Sequence, residues 1–391
     1  MCSVCFEQIK ENSMEMVMSI SRKESKLPMK RKRKKVDRFM FLPDDILLDI
    51  LKRLPDDFPR YLAKYVCRRW FNIMTNRILL HDTSFIILQK TGNLTARHVG
   101  IREEEQGIHV MKVQDLDIPP IGIIRSWVNE LLLISDYKKQ SLYVYNLITK
   151  EGSYLPERNI ASCGGYCTIK CGVALSFNLF KGIYKVVYLF MGPPIECHIL
   201  ILRRDIVSSK WKKIHVPCMN GGSFYSSNLV SIQGRYLHWD NCIDNSLVSM
   251  DMVKEEIVDM SVPNYDKGFG FVYTIFEMGG YLAFFAENSL DKADIWILKD
   301  FERKKWEKLQ SITLKMWYYR RLSVSILHRW CYNRFPLCGV MSKRSRYIIL
   351  ECKSNNKGMC YYDLKNGAMK ELDIHINVDD GCVVLSSPSI R

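Results

Sequence analysis

The chain has 391 residues, 47% of them hydrophobic and 12% aromatic, and a formal charge of +15. Its wholly apolar stretches are only a few residues long, far short of the roughly 18 that a membrane helix needs, and the first thirty residues mix charge and methionine without the apolar run of a secretory leader. The composition excludes a helical membrane protein and predicts a soluble protein whose fourteen cysteines stay reduced, in the nucleus or cytoplasm.

Residues 1–38 show no steady period and hold eleven Lys or Arg against five Asp or Glu. Most of that charge is the run Lys30, Arg31, Lys32, Arg33, Lys34, Lys35, which repels itself, cannot be buried, and predicts a disordered basic tail. The run is a candidate nuclear-import address. No aromatic residues are interleaved with it, as a base-stacking surface requires, so nucleic acid is the partner it favours least. Cys2 and Cys5 stand alone, and Cys163, Cys167 and Cys171 lack the paired spacing of a zinc site. Neither group predicts a metal.

Residues 39–80 read as helical. Pro43 suits a first helical turn and Asp44 and Asp45 suit its positive end. Ile46, Leu47, Ile50, Leu51 and Leu54 follow with the spacing of one apolar stripe, and Pro55 stops the helix. Val66, Cys67, Trp70, Phe71 and Met74 repeat the same offsets. So small a unit buries little by itself and is expected to lean on a partner; the bland alternative is a helical hairpin core closed on itself.

The run from Leu42 to Pro55, with Val66-Cys67-Arg68-Arg69-Trp70, resembles the F-box in order, spacing and residue type. That resemblance implies a three-helix module docking on a Skp adaptor, which binds a cullin and its RING subunit. It assigns the contact to Leu42, Pro43, Ile46, Leu47, Ile50, Leu51, Leu54, Pro55, Val66, Cys67 and Trp70. One departure is the stretch Asp56–Leu62, one residue longer than usual, where Pro59 shifts the start of the middle helix.

From residue 84 to 391 the pattern becomes all-β. A strand ending in Asn or Asp recurs, anchored at Asn146, Asp205, Asp251, Asp300 and Asp363, with spacings of 59, 46, 49 and 63 residues. Second strands precede several of these, as at Gly234–Trp239, and short segments such as Trp211–Ile214 and Trp306–Leu309 follow. Four-stranded blades recur at roughly 40–50 residues, so this period predicts a β-propeller with insertions; an irregular sandwich or barrel is the alternative. Tyr143-Val144-Tyr145-Asn146, Tyr184-Lys185-Val186-Val187 and Ile295–Leu298 with Trp306 resemble the F-box-associated, kelch-like domains of plant F-box proteins, with Leu147 where proline is usual.

No catalytic signature is present, and His198 and His238 sit in apolar strands as core histidines do. Asp136, Asp240, Asp291 and Asp294 are carboxylates that a glycosidase would need in pairs, but turn formation explains them better. The fold expected is therefore α+β: a small helical F-box before an all-β, kelch-like propeller. The function expected is the substrate-recognition subunit of a Skp–cullin–F-box ubiquitin ligase, with no enzyme activity or cofactor of its own and an unidentified protein target. The alternatives are a kelch-like scaffold with a vestigial F-box and a basic nucleic-acid-associated protein.

Overall fold

The computed structural model describes residues 42–53, 69–70, 83–90, 95–104, 107–128, 131–136, 138–147, 149–157, 171–178, 183–190, 195–202, 210–217, 229–232, 234–241, 246–264, 273–288, 292–313, 336–341, 346–352, 358–375 and 382–386. Helix α1 is Asp44–Lys52. The first strands are β1 (Thr83–Lys90), β2 (Thr95–Glu104) and β3 (Gly107–Leu116). Then come β4 (Gly122–Val128), β5 (Leu131–Asp136), β6 (Ser141–Asn146) and β7 (Gly152–Tyr154), followed by β8 (Cys171–Asn178), β9 (Ile183–Phe190), β10 (Glu196–Leu202) and β11 (Lys212–Ile214). The next eight are β12 (Leu229–Ile232), β13 (Tyr236–Asn241), β14 (Ser246–Asp251), β15 (Glu256–Ser261), β16 (Tyr273–Met278), β17 (Tyr281–Glu287), β18 (Lys292–Asp300) and β19 (Lys305–Thr313). The last are β20 (Pro336–Met341), β21 (Arg346–Cys352), β22 (Gly358–Asp363), β23 (Met369–His375) and β24 (Cys382–Ser386).

These strands form six antiparallel blades of four. Strands β4–β7, β8–β11 and β12–β15 are separate sheets, while β16–β19 and β20–β23 join through one parallel bridge, Met278 to Gly339. The remaining blade is composite, in the order β24-β1-β2-β3. Counted from the centre outward, its first strand is the last of the chain, and its other three are the first. The innermost strands β24, β4, β8, β12, β16 and β20 each pack on the next, and β20 returns to β24, so the ring closes without any single closed sheet. The register Ile86–Ser386 to Lys90–Cys382 fastens that closure.

The sequence makes blades because its inner strands are buried on both faces. Leu131–Asp136 is buried along its whole length, which is why it reads as a continuous apolar run. The two-residue period survives as a division of labour. Leu131 and Leu133 enter the core shared with the blade of β8–β11, whereas Leu132 and Ile134 enter the core shared with Ala96 of the composite blade. Val186 and Val187 divide likewise, as do Phe284 and Phe285. Each core is thus a layer between two blades.

The recurring Asn or Asp anchors are the third-strand ends of four blades. Asn146 accepts the Thr149 N–H at 3.2 Å, Asp251 those of Val253 and Lys254 at 2.8 and 3.1 Å, Asp300 that of Arg303 at 3.0 Å and Asp363 that of Lys365 at 2.8 Å. Four residues on, the chain passes through the left-handed region, at Lys150 (φ 62°), Glu255 (φ 59°), Lys304 (φ 53°) and Gly367 (φ 69°). A short polar side chain that mimics a backbone acceptor is what such a turn needs. Asp205 lies outside the described residues.

Candidate partner-docking surfaces

Helix α1 begins as its sequence predicts, with the Leu47 N–H bonded to the Pro43 carbonyl at 3.0 Å and acidic Asp44 and Asp45 in the first turn. Its apolar residues do not share one environment. Leu47 is fully buried and Trp70 is 7% exposed, both covered by the chain itself, while Ile46 is 50% exposed and Leu42 and Ile50 are half-buried. Leu47 and Trp70 are thus turned inward, and the outward apolar edge among the described residues is Ile46, flanked by exposed Pro43. Two neighbours in sequence point apart because successive residues lie about 100° apart around a helix. Leu51 belongs to α1. Leu54, Pro55, Val66, Cys67, the Asp56–Leu62 stretch and the basic run from Lys30 to Lys35 lie outside the described residues.

The two ends of the helical motif are tied together. Arg69 donates from Nε to the Asp44 carboxylate at 2.8 Å, with Nη2 of the same guanidinium 2.7 Å from the same oxygen. Nη2 also donates to the Leu42 carbonyl. The sequence placed Asp44 and Arg69 in the two halves of the motif without pairing them.

The ring offers two faces. One carries the turns from first to second strand and from third to fourth. Strand β24 ends beside the start of β1, so the chain coming from α1 enters the ring on this turn face. The turn face is closely laced between blades. Glu255, half-buried on β12–β15, takes Lys185 at 2.8 Å and Lys212 at 2.5 Å from the blade before it. Burial pushes its carboxyl pKa up, but the hydrogen bonds from Lys185 and Lys212 outweigh this and hold it below the usual range. Lys254 pairs with Glu302 of the next blade at 2.8 Å. The residue after each anchor, Leu147, Met252, Phe301 and Leu364, packs into an inter-blade layer. At the start of two fourth strands a tryptophan reaches back one blade, Trp211 to the Pro156 carbonyl at 2.9 Å and Trp306 to the Ser261 carbonyl at 3.1 Å. Val253, 58% exposed at a turn tip, is the most exposed large apolar residue described.

The blade-to-blade connections start and finish on the opposite face, and 155–170, 215–228, 262–272 and 314–335 are each longer than any strand-to-strand turn of the laced face. Of the carboxylates considered for paired catalysis, Asp136, Asp240 and Asp294 lie near strand ends on this face. Asp136 accepts the Lys138 and Lys139 N–H groups at 2.9 and 3.0 Å and the Tyr154 hydroxyl at 2.7 Å, the turn role expected. Asp240 and Asp294 differ from that expectation. Asp240 receives the Tyr273 hydroxyl across a blade boundary, and Asp294 holds Lys308 and Ser311, both at 2.7 Å. Asp291 is outside the described residues. His238 is buried against Ser249, with Nδ1 2.8 Å from its hydroxyl, and burial pushes its pKa down to about 3. His198 lies 3.3 Å from Glu196. Cys171 receives the Tyr188 hydroxyl at 2.9 Å, and Cys163 and Cys167 are not described. Burial pushes the Cys197 thiol up to about 12, far from a reactive thiolate.

A closed ring of blades with a helical segment leading into its clasped blade defines a β-propeller with an appended amino-terminal module. The family model for the F-box associated beta propeller domain matches residues 85–383, and the chain belongs to that family. No curated protein matches it. Solved structures with a similar outline include the nidogen/laminin complex (TM-score 0.45, 10% identity, covering 78% of this chain and 99% of that one). Others are a functionally unknown protein from Desulfotomaculum acetoxidans DSM 771 (0.42, 11%, 78% and 89%) and the Myceliophteria thermophila Cps50 (Swd1) β-propeller domain (0.39, 9%, 78% and 96%).

Proposed function

We propose that this chain is the target-recognition subunit of a Skp–cullin–F-box ubiquitin ligase. Residues 39–80 form an F-box that docks on a Skp adaptor, and the kelch-like propeller holds the protein to be ubiquitinated. The observation that carries the reading is a propeller of the F-box associated family standing directly behind a segment with the residues of the F-box itself. Cullin and RING subunits supply the chemistry. This chain supplies proximity, which raises the effective concentration of a target lysine at the conjugating enzyme.

Two features favour a division of faces. The helical segment joins the ring on the turn face, and the long connections between blades start and finish on the other. Binding residues gather on loops that a rigid scaffold presents, so the target is assigned to the face away from the adaptor. The basic run at Lys30–Lys35 serves as an import address for a plant protein working in nucleus and cytoplasm.

The test is capture of a purified Skp adaptor by the full chain and by its Ile46→Asp variant. A carboxylate pressed into an apolar contact should weaken binding by at least about tenfold. A wild-type chain that binds no Skp adaptor removes the reading, and an Ile46→Asp variant that binds as tightly as wild type removes the docking edge.

A further inference from the structure

We infer that Arg69 is a positioning residue for adaptor docking: its guanidinium latches the end of the helical motif onto the first turn of α1 and so presents the Pro43–Ile46 edge. The inference rests on the ligase-receptor reading above.

Three contacts define the latch. Arg69 meets the Asp44 carboxylate through Nε at 2.8 Å and Nη2 at 2.7 Å, and it takes the Leu42 carbonyl, one residue ahead of Pro43. The fork geometry of guanidinium makes this possible, because its N–H groups lie in one plane and point to two acceptors at once. A lysine offers one point charge and cannot reproduce the set. The acceptors lie at the beginning of the motif and the donor 25 residues away in sequence. The latch therefore fixes the relation between the two ends of the segment.

The neighbours make that relation matter. Leu47, one turn past Pro43, is fully buried, and Trp70, next to Arg69, is nearly so. Their packing fixes the inward side of α1. Polar contacts on α1 among the described residues include Arg69 to Asp44 and Leu42 at the amino end and Arg53 to Asp49 at 2.9 Å at the other. The Arg53 pair is exposed on both sides and joins α1 only to the residue just past its end, so it constrains nothing farther along the motif. Arg69 alone of the two spans the motif, with its side chain 30% exposed. When it is released, Leu42 and Pro43 lose the carbonyl anchor that sets the chain's entry into α1.

The experiment uses the full chain and a purified Skp adaptor, with wild type, Arg69→Ala, Arg69→Lys and Asp44→Asn measured side by side. Each is measured for adaptor affinity and for amide hydrogen exchange over residues 44–52. Arg69→Ala is expected to bind roughly 5–20-fold more weakly, with faster exchange over 44–52 and an unchanged melting temperature of the propeller. Arg69→Lys should fall between Arg69→Ala and wild type. Arg69→Ala binding within twofold of wild type overturns the inference. So does weaker binding with unchanged exchange, because Arg69 would then touch the adaptor directly. A wild type that fails to bind the adaptor is the separate failure of the ligase reading.

Discussion

The seam between the blades of β8–β11 and β12–β15 makes a sharp prediction at Gly172. A methyl group there would lie 2.6 Å from Nε1 and 2.8 Å from Cδ1 of Trp239, closer than such atoms approach. Gly172 is not in the left-handed region, so the backbone itself does not require glycine. Space does. Trp239 is 2% exposed among Leu237, Val248 and Met250, and the indole has nowhere to retreat without displacing that layer. Gly172→Ala should therefore cost about 1–3 kcal/mol, the range for an overpacked core. Trp239→Phe should by itself cost about 1–2 kcal/mol, less than a full truncation, because the buried indole N–H it removes has no hydrogen-bond partner. In the double variant the methyl group occupies room the smaller ring leaves, so the two costs should fall short of their sum by about 1–2 kcal/mol. Urea unfolding followed by far-ultraviolet circular dichroism on all four chains measures the coupling, and Gly172→Ala should also lower the melting temperature by roughly 2–8 °C. Additivity within about 0.5 kcal/mol, or an unperturbed Gly172→Ala, would refute the argument.

Two other predictions concern charge. His238 is held neutral by burial, its pKa lowered to about 3. The unfolded chain takes up a proton near the ordinary value of 6.5, whereas the folded chain refuses it until about pH 3. The stability contribution is complete above pH 6.5 and is lost as pH falls through that window, by about 1.4 kcal/mol per pH unit. His238→Gln should flatten the melting temperature between pH 6.5 and 4, and unchanged slopes would exclude His238 as the titrating group. For Glu255, whose pKa is lowered, the contribution is present above the ordinary carboxylate value of 4.5 and vanishes as pH drops through the depressed one. Glu255→Ala leaves Lys185 half-buried without its carboxylate and should cost about 1–3 kcal/mol at pH 7; a loss below about 0.5 kcal/mol in urea would show the inter-blade pair to be dispensable.

The repeating part of this fold was legible in the chain because its local chemistry repeats. The polar ends of third strands announced themselves at Asn146, Asp251, Asp300 and Asp363 since these four turns use the same kind of side-chain acceptor. The uneven spacing also has a plain cause: the step of 63 residues up to Asp363 contains the 314–335 connection. The innermost strands were not legible. Leu229–Ile232 and Cys382–Ser386 are four and five residues long, with no anchor or tryptophan to mark them. The composite blade was hidden for a deeper reason, since its members stand some 300 residues apart and no local pattern records a pairing across that distance. At the helical segment, periodicity located the apolar residues but could not separate inward Leu47 from outward Ile46, which adjoin in sequence. Arg69 escaped because an ion pair spanning 25 residues has no periodic signal.

The same topology bears on how position would be transmitted in the proposed role. A helical unit as small as the F-box proposed would bury too little apolar surface to be rigid by itself, and a target held far from an adaptor would be useful only with a stiff link between them. Here the helical segment continues into β1, which is paired on one side with β24 and on the other with β2. The strand that receives the module is therefore the same one that clasps the ring. Loosening the β24 pairing frees an edge of β1 and leaves β4 and β20 without the neighbour between them. Ring closure and the anchoring of the amino-terminal segment are in this way one structural event. In the proposed role, damage to the carboxy-terminal strand would uncouple target from adaptor even with both binding surfaces chemically intact.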